Sequence, residues 1–208
     1  MYYRIIDIDT WERKELYNHY LTDVPCGYSM TVKIDITDIK SSGRKLYPAM
    51  LHCLAATVNR HSEFRMKLDD RGRLIVFDRM HPGYTVFHKD TETFSNIWTE
   101  YREDYEKFYM DYKQDIDLYG NITGFEAKPN TPENVFTVSM IPWESFDSFN
   151  LNLPLGNSYL LPIFTIGKYY EENGRFILPL AIQVHHAVCD GFHLCRFIDD
   201  LRNCIGIL

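Results

Sequence analysis

Towards the end of residues 28–36 the chain alternates apolar and polar positions (Val32-Lys-Ile34-Asp-Ile36), the period-two pattern of a strand with one face buried. Over residues 45–58 the period changes. Leu46, Met50, Leu54 and Val58 recur every fourth residue, which puts them on one stripe of a helix. Residues 192–205 read the same way, with Leu194, Ile198 and Leu201 on a stripe. Residues 11–20 predict a short helix entered through the polar pair Asp9-Thr10. Residues 93–119, rich in Glu, Asp, Lys and aromatics, predict a long helix. Residues 135–140 and 145–153 predict short strands, and residues 121–134, with Gly124, Pro129 and Pro132, a loop. Turn chemistry predicts two hairpins: Asp69-Asp-Arg-Gly72 between runs 64–68 and 74–77, and Glu172-Asn-Gly174 between runs 164–170 and 176–184. Residues 154–159 carry no readable pattern.

Many strands with a few helices that do not alternate with them one-for-one predict an α+β, two-layer architecture, with helices packed on a largely antiparallel mixed sheet. No linker, repeat or low-complexity stretch divides the 208 residues, so one domain over 1–208 is expected. No Gly-x-Gly-x-x-Gly or Walker-type loop is present, which argues against a dinucleotide-binding or P-loop fold.

Charge narrows the partners. The formal net charge is −7, with 22 basic residues scattered among 29 acidic ones, and no basic face for nucleic-acid phosphates is expected. Five cysteines without a Cys-x-x-Cys pair read as reduced thiols in a cytoplasmic protein. The acidic start lacks the look of a secretory leader, and the apolar run 177–184 is too short to span a bilayer, which needs about 18 residues. Aromatics are abundant, 15 Tyr and 13 Phe, enough to line an apolar pocket or cover an interface.

The stretch richest in chemistry is Gln183-Val-His185-His186-Ala-Val-Cys-Asp190-Gly191-Phe-His193. Two histidines close an apolar strand, and Asp-Gly opens the last helix. Successive strand side chains point to opposite faces, so His185 and His186 cannot both reach one small site. Imidazole titrates near neutrality and suits a general base there. Asp190 equally suits a helix N-cap, and the histidines equally suit a satisfied core. A metal site is disfavoured, because no helical His-x-x-x-His spacing occurs. From the residues alone, catalysis and structure stay equally open.

The stretch His185-His186-Ala-Val-Cys-Asp190-Gly191-Phe-His193 resembles the signature of the type A chloramphenicol acetyltransferases, within the CoA-dependent acyltransferase superfamily. Further matches run in chain order: Trp11-Glu-Arg13 leading to Pro25-Cys-Gly27, then Ser139-Met-Ile-Pro-Trp143, Ser148-Phe-Asn-Leu-Asn152 and Pro162-Ile-Phe-Thr165-Ile-Gly-Lys-Tyr169. The resemblance implies O-acetylation of the chloramphenicol 3-hydroxyl by acetyl-CoA, which inactivates the antibiotic. Acetyl-CoA is a co-substrate, with no permanently bound cofactor and no metal. His186 matches the general base, Ser139 the hydroxyl that steadies the oxyanion, and Thr165 a threonine that holds a water. Asp190 matches an aspartate paired with an arginine, for which Arg13 is the candidate. Tyr20, Val24, Cys26, Phe149, Leu151 and Ile163 match the acceptor pocket, and Lys168 and Tyr169 the CoA end. Over 121–134, where the family places another aromatic, Phe125 is the candidate. His185 and His193 are expected to be structural. The family is a homotrimer with sites at subunit boundaries, where one subunit supplies the base and its neighbour much of the acceptor pocket. Acetyl transfer to a different hydroxyl acceptor, and a silent relative that only sequesters a ligand, are the alternatives.

Overall fold

Six strands in line, with a seventh paired to one of them, form one mixed sheet. The computed structural model describes residues 2–153 and 158–208, so most of the patternless stretch 154–159 lies outside the described residues. A small sheet comes first in the chain, built from β1 (Tyr3–Ile5), β4 (Leu74–Phe77) and β3 (Met66–Leu68) in the order β1-β4-β3. The large sheet contains β2 (Gly27–Asp35), β5 (His81–His88), β6 (Thr93–Trp98), β7 (Val135–Met140), β8 (Ile163–Ile166) and β10 (Arg175–His185). Its order is β2-β10-β8-β7-β5-β6, and β9 (Tyr170–Glu172) pairs with the start of β10. The pairs β2/β10, β8/β10 and β5/β6 are antiparallel, while β5/β7 and β7/β8 are parallel.

The helices are α1 (Lys14–Asn18), α2 (Thr37–Ser41), α3 (Leu46–Arg60), α4 (Tyr105–Tyr119) and α5 (Gly191–Gly206). In α3 every residue from Pro48 to Val58 is buried. Against it lie the core-facing side chains of the large sheet, Tyr84, Phe136, Val138, Phe164, Leu178, Leu180 and Ile182, all fully buried. Phe197 of α5 stacks on Phe164 and Phe64, with ring centroids at 5.6 and 4.2 Å, and so ties the last helix to the sheet. Truncating a buried phenylalanine costs about 3–5 kcal/mol. The two-layer α+β expectation holds, with helices on one face of a mixed sheet.

Both hairpins form. In the second, Asn173 (φ 53°) and Gly174 (φ 75°) are both left-handed, the geometry a tight two-residue turn requires. Three expectations fail. Residues 93–98 form β6 instead of the start of a long helix. Ser95 and Ile97 point into the core while Phe94 and Asn96 point away, and α4 begins only where the Asp104 carboxylate accepts the Lys107 N–H at 2.9 Å. The polar residues along this segment hid a period of two. Residues 145–153 form no strand. Their backbone bonds go to side chains: Phe149 N–H to Thr31 Oγ1 (3.2 Å), and Leu151 N–H to Gln183 Oε1 (2.9 Å). The predicted helix over 11–20 is split, because α1 widens into a π-helical turn at His19–Asp23. Among the described residues no helix is long and apolar enough to cross a membrane.

Candidate active site

Side-chain phase along β10 separates the two histidines. Leu178, Leu180, Ile182 and Val184 face the helices, whereas Ala181, Gln183 and His185 face the other side of the sheet. His185 is buried, and its Nδ1 accepts the Ala187 N–H at 3.2 Å. His186 follows the helix-side phase. Its backbone N–H reaches the Cys26 carbonyl (2.8 Å), so pairing to the β2 side continues one residue past the strand. The imidazole is half-buried and stacks on Tyr20, with centroids 3.8 Å apart and planes at 11°. Tyr28, the next core-facing residue of β2, lies at 5.3 Å. Nδ1 of His186 is buried with no hydrogen-bond partner among the described residues, which leaves Nε2 as the nitrogen for chemistry.

The π turn makes this stack possible. It carries Tyr20 back over the strand end, and its wider winding is a form that helices adopt at functional sites. Cys26 N–H bonds to the Tyr20 carbonyl (3.3 Å), which fixes Cys26 beside the pair, while Val24 closes the turn with its side chain largely exposed. Behind the loop, Arg13 Nη1 donates to Asp190 Oδ2 at 2.7 Å. Asp190 stands at the N-cap of α5. Burial opposes ionisation of its carboxyl, but the Arg13 hydrogen bond and the charges of His193 and Arg13 outweigh it and hold the pKa below the ordinary value.

A second group lies on the opposite face. Ser139 of β7 and Thr165 of β8 are direct partners across the parallel pair, and their hydroxyl oxygens are 3.2 Å apart. Both point away from the helices, since Phe136, Val138, Phe164 and Ile166 occupy the core-facing phase. Ile163, two residues before Thr165, shares their face. Phe149 and Leu151 lie over that face too, held by Thr31, Ser29 and Gln183. Thr165 pairs with Ala181, five residues before His186. At about 3.3 Å per residue that is roughly 16 Å along β10, with the sheet between. Within one chain, therefore, His186 gathers with Tyr20, Val24, Cys26, Arg13 and Asp190, and Ser139 gathers with Thr165, Ile163, Phe149 and Leu151. One chain does not bring the two groups together.

The family model described as chloramphenicol acetyltransferase matches residues 1–202. The chain belongs to the chloramphenicol acetyltransferase family. A chloramphenicol acetyltransferase of Clostridium perfringens is 59% identical over 206 residues, covering 99% of this chain and 100% of that one. One from Vibrio anguillarum is 59% identical over 208 residues, covering 100% and 96%. A solved structure of a chloramphenicol acetyltransferase superposes with a TM-score of 0.83 at 24% identity, covering 98% of this chain and 100% of that one, which shows the shared fold.

Two further positions matched to the family lie near the far end of β8, where the chain breaks between β8 and β9. Lys168 is exposed and its N–H bonds to the Glu144 carbonyl (2.9 Å). Tyr169 is already engaged, its hydroxyl accepting from Lys40 Nζ at 3.0 Å while that ammonium lies 4.5 Å from its ring centroid. Phe125 is exposed and packs edge-on to Phe94 at the β6 edge of the sheet. Sequence reasoning missed Tyr28 beside the base and Gln183, whose side chain holds Leu151. The signal for both was available in strand phase: Tyr28 is in step with Met30 and Val32, and Gln183 is the one polar residue in an apolar run.

Proposed function

We propose that this chain, as one domain over 1–208 in the cytoplasm, transfers the acetyl group of acetyl-CoA to the 3-hydroxyl of chloramphenicol, and that two copies in a homotrimer build each site. The observation that carries the reading is His186, half-buried at a strand end with its ring held flat on Tyr20. An imidazole so fixed has one nitrogen free to take a proton and little freedom to leave its position. Nε2 removes the hydroxyl proton as the acceptor oxygen attacks the thioester carbonyl. The tetrahedral oxyanion accepts a hydrogen bond from the Ser139 hydroxyl, which Thr165 Oγ1 orients from 3.2 Å. Collapse breaks the carbon–sulfur bond, and the CoA thiolate takes the proton back from the imidazolium. Arg13 and Asp190 hold the loop that follows the base.

The separation of the two groups supports a site shared between copies. An acceptor cannot touch His186 and a Ser139-bound oxyanion through a sheet, so the Ser139 face of one copy must meet the His186 edge of the next. The acceptor residues divide accordingly: Tyr20, Val24 and Cys26 come with the base, and Phe149, Leu151 and Ile163 come with the oxyanion donor. Purified protein given acetyl-CoA and chloramphenicol is expected to release one free thiol per acetylated drug molecule. Thiol release that does not depend on chloramphenicol, with another alcohol acting as acceptor, would replace this substrate assignment.

A further inference from the structure

Arg13 holds Asp190 through one N–H only. Its Nε and Nη2 are buried without partners among the described residues, and the contact reaches only Oδ2. The Asp190 side chain also accepts the His193 backbone N–H, which closes a capping box at the start of α5. The other oxygen, Oδ1, is 2.7 Å from His193 Nδ1. Nδ1 accepts the Asp190 backbone N–H at 3.3 Å, so Nε2 is the ring's donor. Across the ring, His193 Nε2 lies 3.5 Å from Glu63 Oε1, and that oxygen also accepts from Arg196 Nη2 at 2.9 Å. Glu63 is 13% exposed, in the short 3₁₀ turn Ser62–Phe64 after α3, and its Oε2 is buried with no partner. The ring thus faces the Glu63 carboxylate with Nε2 while Nδ1 holds the Asp190 backbone. Glu63 also lies under the loop itself. Burial, then the Glu63 and Asp190 charges, push the Cys189 thiol up to about 12.

We propose that Glu63 is a positioning residue for the base: by holding the His193 ring it fixes the Asp190 backbone N–H, and with it the loop that follows His186. The chain Arg196–Glu63–His193–Asp190–Arg13 then clamps residues 187–190 from two places distant in sequence, the residue that caps α1 and the turn after α3. Arg13 holds the Asp190 carboxylate, and Glu63 with His193 holds its backbone. The inference rests on the acetyl-transfer reading above.

The test uses the assembled full-length enzyme and three variants. Glu63→Gln keeps the shape and removes the charge. His193→Asn retains an acceptor near the position of Nδ1 for the Asp190 N–H, whereas His193→Gln retains its polar group near Nε2. Glu63→Gln is expected to lower kcat roughly ten- to a hundredfold with both KM values within about twofold, because small misplacement of a reacting group is costly while binding contacts persist. His193→Asn is expected to keep more activity than His193→Gln. Glu63→Gln should cost nothing further in the His193→Gln background, since the two act in series. Full kcat in Glu63→Gln, equal activities of the two His193 variants, or losses that multiply in the double variant would each overturn the proposal. If Glu63→Gln does not fold, the comparison of the two His193 variants decides. Failure of the acetyl-transfer reading would appear differently, as an inactive parent enzyme.

Discussion

Replacing His186 with alanine is expected to lower kcat for acetyl transfer by roughly two to four orders of magnitude, the contribution of a well-placed general base. The residual protein should fold and assemble. The ring is half-buried and its side chain makes no hydrogen bond that the fold requires, its Nδ1 having no partner among the described residues. The backbone bond from His186 N–H to Cys26, which closes the strand end, survives the substitution. Steady-state kinetics alongside thermal denaturation checks this. A well-folded variant that keeps more than about a tenth of the wild-type kcat would remove His186 from the role of base.

Alanine at position 139 should lower kcat by about 10²- to 10³-fold, the usual cost of one oxyanion donor, and leave the KM for each substrate nearly unchanged. An interaction made mainly in the transition state is lost from kcat and not from binding. Among the described residues the Ser139 hydroxyl bonds the Thr165 hydroxyl and no other side chain, so no folding contact of consequence goes with it. If the acceptor KM rises sharply while kcat holds, Ser139 binds the acceptor in its ground state.

Where one residue's neighbours decide its state, the sequence was legible. The four-residue period of α3, the paired left-handed turn at Asn173-Gly174 and the alternation that parts His185 from His186 all appear as read. The misreadings share a cause, namely that tertiary partners replaced local signals. β6 carries Thr, Ser and Asn in a strand because Ser95 bonds His88 Nε2 across the hairpin at 2.9 Å. β5 escaped notice because Pro82 and Gly83 look like a turn. Gly83 instead suits the close strand approach, since a Cβ there would collide with Val135 Cγ1. The segment 145–153 is irregular and is held to the sheet by side chains of β2 and β10, which no local pattern encodes. For the site, the motif supplied the residues and the resemblance their roles. The separation of the acceptor residues between two faces depends on sheet order, and only the assembled strands reveal it.

That separation is the centre of the account, and mixed oligomers test it most directly. One parent carries His186→Ala and the other Leu151→Trp, which fills the pocket half belonging to Ser139. Leu151 is 42% exposed in the single chain, so the larger ring has room without overpacking a core. Each parent alone should be inactive yet folded and assembled. In verified mixed assemblies some boundaries pair an intact His186 edge with an intact Ser139 face, and acetyl transfer to chloramphenicol should return to a substantial fraction of wild type. No recovery in mixed assemblies of two well-folded parents would mean that base and pocket act within one subunit, contrary to the arrangement of the sheet.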